Sequence, residues 1–200
     1  MPHSPSQKAE TRKRILRSAR HLFNRRGLAG VTIDEITADA GLTRGGFYKH
    51  FNTKEELYTE AIAQFNCDDA ETWWHRHVDR SAQGPRRAKM IVNAYLSKEH
   101  FDDRDGTCPM VGLPSDAARA GEPIKAAYRQ VLARMTRAFE TNLPPGEPSA
   151  RQRALALVAL CVGGMVLARA IDDSDLAEDL RNAARTQVLA ALGGEDRIDV

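Results

Sequence analysis

The chain has 200 residues and a mass of 22.1 kDa, is 42% hydrophobic and 28% charged, and carries a formal net charge of +2. That length can bury a proper core in one or two domains, and its 3 cysteines are too few for a disulfide framework and suit a reducing compartment. The opening MPHSPSQKAE holds no apolar segment of a secretory signal, and the longest apolar run, residues 154–168, falls short of the ~18 residues of a membrane span. Charge is uneven. Residues 1–54 hold 11 basic and 4 acidic side chains, +7, and the remainder holds 18 and 23, −5. A basic quarter on an acidic remainder suits a polyanionic partner.

No stretch alternates long enough for a sheet, and the chain reads as all-α, with about nine helices. A tail over residues 1–7 is expected to be disordered. The first helix is expected from Lys8 to Arg26, with Ile15, Leu16, Ala19, Leu22 and Phe23 on one face and Gly27 as its left-handed cap. Thr32 and Glu35 form a capping box for a second helix that Gly41 ends. Thr43 is placed to cap a third helix through His50. Thr53 and Glu56 suggest another capping box, opening a fourth helix from Lys54 to His77. Gly84-Pro85 precedes a helix to about Phe101, and Pro109 suits the first turn of the next. After the break at Gly121 and Pro123, helix runs to about Asn142. Two final helices follow over Ser149–Ile171 and Ser174–Leu192.

Two short helices around Gly41-Leu42-Thr43 have helix-turn-helix spacing, and they lie in the basic quarter. The second carries Arg44, Tyr48, Lys49 and His50 around a Gly45-Gly46 pair, each glycine costing about 1 kcal/mol of helix stability against alanine. A helix that accepts both so early suits close backbone approach by a partner.

With these residues in view, Arg12 to Ala61 resembles the tetracycline-repressor (TetR) family of bacterial regulators. The matching positions are Ile15-Leu16, Ala19, Leu22-Phe23, Gly27, Val31-Thr32-Ile33, Ile36, Ala40-Gly41, Thr43 to Tyr48, His50-Phe51 and Lys54 to Leu57. The resemblance implies a DNA-binding domain over residues 1–53 and a ligand-sensing and dimerisation domain over 54–200. It also implies a homodimer on a palindromic double-stranded operator, released by a small-molecule effector. Arg44 could then fork onto guanine or contact phosphate. Gly45 and Gly46 would admit close approach. Tyr48 and His50 fall at phosphate-binding positions, although Tyr48 could equally be a partly buried aromatic. Lys49 could touch base or phosphate. Thr32 and Thr43 sit at helix starts suited to phosphate, and Lys54 would pair with phosphate too.

In the acidic remainder, Trp73, Trp74, Tyr95, Phe101, Cys108, Met110, Tyr128, Met135 and Met165 are the candidates for an effector pocket, or are ordinary core. Cys108, just before Pro109, is either a small cap residue or a thiol poised to sense oxidants and electrophiles. Leu155, Val158, Val162, Gly163 and Val166 form an apolar stripe, which the resemblance assigns to dimerisation. Cys67, His75 and His77 do not share a helical face, so no metal site is expected; no cofactor motif and no membrane partner are expected either. The alternatives are a redox or electrophile sensor, an activator or co-repressor-dependent regulator, and, remotely, an enzyme with Cys108 as nucleophile and His100 as base. The expected location is the bacterial cytoplasm, and no enzymatic activity is expected.

Overall fold

A computed structural model describes residues 5–65, 77–79, 81–143 and 149–193, and every regular element among them is helical. Among the described residues, eleven helices are delimited: α1 (Pro5–Arg26), α2 (Ile33–Asp39), α3 (Arg44–Phe47), α4 (Lys54–Gln64), α5 (Gly84–Tyr95), α6 (Lys98–Asp102), α7 (Pro109–Gly112), α8 (Pro114–Arg119), α9 (Glu122–Glu140), α10 (Ala150–Arg169) and α11 (Ser174–Ala191). The count exceeds the expected nine for local reasons. The helix expected to reach Phe101 stops at Tyr95, and Ser97 opens α6 by accepting from the His100 N–H at 3.1 Å. Pro109 and Pro114, each at a first helical position, start two short turns in succession. Helix α1 begins at Pro5, so residues 5–7, expected in the tail, are its first turn. The expected extension of α4 beyond Phe65 falls mostly outside the described residues, as do Cys67, Trp73, Trp74 and His75.

Packing divides the chain into two units: residues 1–69 with 104–131, and 70–103 with 132–200. The first unit is built on the apolar face of α1. Ile15, Leu16, Ala19 and Phe23 are buried with Val31, Ile36, Phe47, Phe51, Leu57, Tyr58 and Ile62. Phe23 meets Tyr58 edge-on at 4.7 Å between ring centres. Burying Phe47 and Phe51 fully contributes about 1.5–3 kcal/mol each, so these two rings anchor α3 from beneath. Gly27, at φ +69°, ends α1, its N–H donating to the Phe23 carbonyl at 2.7 Å. Gly41, at φ +65°, ends α2, and the Leu42 N–H reaches back to the Thr37 carbonyl at 2.7 Å.

In the second unit, α10 and α11 pack closely. Gly164 makes this approach feasible: a Cβ there would lie 2.6 Å from the Ala184 Cβ. Ala154, Leu157, Val158, Cys161, Met165 and Ala168 fill the inward side of α10, and burial pushes the Cys161 thiol up to about 12, leaving it an unreactive packing group. The Asp173 carboxylate starts α11, accepting from the N–H groups of Asp175 and Leu176, both at 3.0 Å. By length and composition alone, α10 could cross a membrane.

Candidate nucleic-acid interface

Helix α3 is one turn long, shorter than the expected run to His50, because Gly45 and Gly46 weaken it and Tyr48 already closes it. Thr43 holds the extended N-cap backbone, but its hydroxyl makes no capping bond, contrary to expectation. Thr32 behaves as expected: its hydroxyl accepts from the Glu35 N–H at 3.2 Å, and the Glu35 carboxylate accepts from the Thr32 N–H at 2.8 Å. Arg26, bonded to Glu35 at 2.7 Å, and the Thr32 donors hold the Glu35 carboxyl down at about 2. At α4, Thr53 caps Glu56, while the Glu56 carboxylate bonds the Asn52 N–H at 2.7 Å rather than that of Thr53.

Around α3, Arg44, Gly45, Tyr48 and Lys49 are exposed, and Gly46 and His50 are half-buried. Arg44 donates to Asp34 at 3.0 Å, and Tyr48 and then Asp34 raise its pKa above the ordinary value. Both partners of this pair are more than half exposed, so the bridge contributes only about 0–1 kcal/mol. The guanidinium can leave it for a base edge at little cost. A Cβ at Gly45 would meet nothing within 4 Å, and one at Gly46 would make only ordinary contact, 3.7 Å from the Leu42 Cβ. Neither has a positive φ. Nothing within this unit therefore requires glycine at position 45.

Lys54 is drawn inward. Its ammonium donates to the carbonyls of Leu28 and Val31, both at 2.8 Å. Two of its three N–H donors thus tie the α1–α2 loop to the start of α4. Residues from far along the chain grip the same loop. The Asp116 carboxylate accepts from the Leu28 N–H at 2.7 Å and from the Tyr58 hydroxyl at 3.2 Å. Burial, and then Asp116, push the Tyr58 hydroxyl pKa upward, so it stays a donor. The Asn24 amide donates to the carbonyls of Asp105 and Thr107, at 2.6 and 3.2 Å, and Arg25 pairs with the Asp105 carboxylate. Arg12 forks onto Glu60 and stacks over Phe51, 4.4 Å from the ring centre. These supports were not expected from sequence. Only the paired charges of Arg12 and Glu60 on neighbouring amphipathic helices offered a signal.

The expected effector residues divide between the units. Cys108, Met110 and Tyr128 belong to the first, and Tyr95, Phe101, Met135 and Met165 to the second. A recess in the first unit, with about 240 Å³ of empty space including its open mouth, is lined instead by residues such as Phe23, Tyr58, Phe65, Thr107 and Leu113. Cys108 precedes α7 as expected but is only 3% exposed and makes no side-chain capping bond. Reactive thiols sit in partly exposed surroundings, so Cys108 is placed as a packing residue. His100, the other member of the remote enzymatic pairing, donates from Nδ1 to the Tyr95 carbonyl at 2.7 Å. Burial depresses its pKa to about 4. Among the described residues, no group of three metal-ligating side chains comes together.

On α10, Leu155, Leu160 and Leu167 are 41%, 43% and 56% exposed. A Cβ at Gly163 would meet nothing within 4 Å. Val162 and Val166 are half-buried. Val158, expected on this stripe, is 2% exposed and faces the unit's own core. A helix apolar on all sides gives no periodic signal to tell the two faces apart.

Comparison with known proteins agrees with this geometry. Residues 15–61 match the family described as bacterial regulatory proteins, tetR family. The chain is 38% identical over 64 residues to the HTH-type transcriptional repressor KstR2 of Mycolicibacterium smegmatis, covering 32% of this chain and 31% of the repressor. It is 38% identical over 108 residues to the uncharacterized HTH-type transcriptional regulator YdgC of Bacillus subtilis, covering 54% of this chain and 55% of that one. The matches thus span between a third and about half the length of these relatives. The crystal structure of a TetR transcriptional regulator from Chloroflexus aurantiacus superposes with a TM-score of 0.77 at 20% identity, covering 95% of this chain and 98% of that one, a likeness of fold. Residues 15–61 thus form a helix-turn-helix region of the kind found in the TetR family of bacterial regulatory proteins.

Proposed function

We propose that the chain is a cytoplasmic repressor that binds a palindromic DNA operator as a homodimer and releases it when a small molecule binds the acidic remainder. The carrying observation is the α3 surface: Arg44, Tyr48 and Lys49 exposed around a Gly45 that has open space where its side chain would be. In a major groove, Arg44 takes a guanine edge through its fork. Tyr48, Lys49, His50, Thr32 and Thr43 serve the phosphates, and Gly45 and Gly46 let the duplex approach the backbone. Lys54 supports the fold of the reading head rather than contacting DNA. Leu155, Leu160, Gly163, Val166 and Leu167 supply the face for the second copy. That copy would hold two reading heads about one DNA turn, 34–36 Å, apart.

In vitro selection of duplexes by the purified full chain, followed by binding titrations and sedimentation, tests this reading. A dimer enriching a two-fold symmetric sequence is expected. A monomer that enriches no sequence at low salt refutes it.

A further inference from the structure

The second unit holds a buried cation with almost no partner. Arg181, on α11, is 6% exposed. Its guanidinium is a cation with five N–H donors. It makes one long hydrogen bond, from Nη1 to the Leu96 carbonyl at 3.3 Å. Its Nε is buried without an acceptor, and among the described residues no carboxylate pairs with it. One face of the guanidinium lies on the Phe101 ring, 4.7 Å from its centre, and that ring is half-buried. Arg169 adds a second cation to the same α5–α6 segment, donating to the carbonyls of His100 and Asp103. The neighbouring acid Glu99 faces His77 at 3.3 Å.

A lone buried guanidinium is among the costliest arrangements a fold can keep. A single long bond to one carbonyl does not offset it, and a methionine of similar length would fill the space without the charge. Residues retained against stability are characteristic of binding sites. We infer that Arg181 is the anion receptor of the effector site and takes the carboxylate of a flat organic acid. Nε and one Nη point along one edge of the fork, the arrangement that a carboxylate meets with two parallel hydrogen bonds. The ligand's apolar body packs against the half-buried Phe101 ring. This deepens the reading of the chain as a small-molecule-responsive regulator and depends on it.

The test compares the full chain with Arg181→Met and Arg181→Lys by thermal melting, without additive and with benzoate or benzamide at equal ionic strength. Without additive, Arg181→Met melts about 2 °C or more above the parent. Benzoate raises the melting temperature of the parent, benzamide does not, and benzoate leaves both variants unshifted, since lysine keeps the charge but not the fork. A lower melting temperature for Arg181→Met would show that Arg181 serves only to cap the Leu96 carbonyl and would overturn the proposal. Equal shifts with benzoate and benzamide in the parent, or none, would also overturn it. Failure of Arg181→Met to fold counts as lost stability and overturns the proposal in the same way. DNA binding is read separately: Arg181→Met keeps the parent's affinity for a selected duplex, whereas failure of the parent to bind any duplex would refute the regulator reading and leave the melting result standing.

Discussion

Replacing Gly45 with alanine separates what the fold needs from what a partner needs. The added methyl meets no atom within 4 Å, and the backbone there is not left-handed. The protein alone should therefore gain helix propensity, about 0.5–1 kcal/mol at most for glycine to alanine in a helix. For a chain of this size, that raises the melting temperature by about 1–4 °C. If the duplex packs against this backbone, the same methyl intrudes into a close contact. Overpacking of that kind costs about 1–3 kcal/mol, or roughly a 5- to 150-fold loss of affinity. Melting curves and anisotropy titrations on a selected duplex at fixed salt measure both sides of the trade. Higher stability with unchanged affinity would refute the idea that Gly45 exists for close approach, and lower stability would show an internal need for glycine. Gly41→Ala is the contrasting control: with φ at +65° it should lose about 1–2 kcal/mol of stability through backbone strain.

Four further outcomes are expected. Arg44→Ala should lose about 1–3 kcal/mol against one particular base pair, and equal weakening on every sequence would move Arg44 to a phosphate. Lys54→Met should destabilise the protein by about 1–3 kcal/mol through the two carbonyls it abandons, with the salt slope of DNA binding unchanged; a slope reduced by about one ion would restore a phosphate contact. Asp116→Asn should weaken the acceptor for the Leu28 N–H and the Tyr58 hydroxyl, costing about 1–3 kcal/mol and speeding hydrogen exchange at Leu28, so an unaltered exchange rate would count against that support. For His100, the folded pKa of about 4 lies below the ordinary 6.5, so the unfolded chain binds the extra proton and stability falls as the pH drops between those values. The loss amounts to about 2 kcal/mol by pH 5; urea titrations at pH 7 and 5 should show it, and His100→Gln should remove it.

The sequence disclosed what local chemistry writes. The Thr32–Glu35 capping box, the breaks at Gly27 and Gly41, and the apolar spacing of α1 located the first three helices and the exposed surface of α3. The length of α3 was overestimated because Phe47 and Phe51, four residues apart, suggest a continuing helix that the glycine pair does not support. Supports formed across long separations left no local trace: Asp116 meets Leu28 88 positions away. The expectation for Lys54 rested on its charge, and the two carbonyls that accept from its ammonium were not visible in the sequence. In α10, the adjacent Gly163 and Gly164 looked equivalent, yet one faces open space and the other sits against Ala184. Only the rotation of the helix distinguishes them.

The grip of Asp105, Thr107 and Asp116 on the α1–α2 corner bears on protein engineering. A chimera joined at residue 53, with a foreign sensor downstream, would strand the Leu28 amide and the Asn24 side chain without their acceptors and would lose Tyr58 as well. A hybrid that transplants 104–131 together with the first 65 residues keeps those acceptors, and the discontinuous fragment is the natural module for exchange.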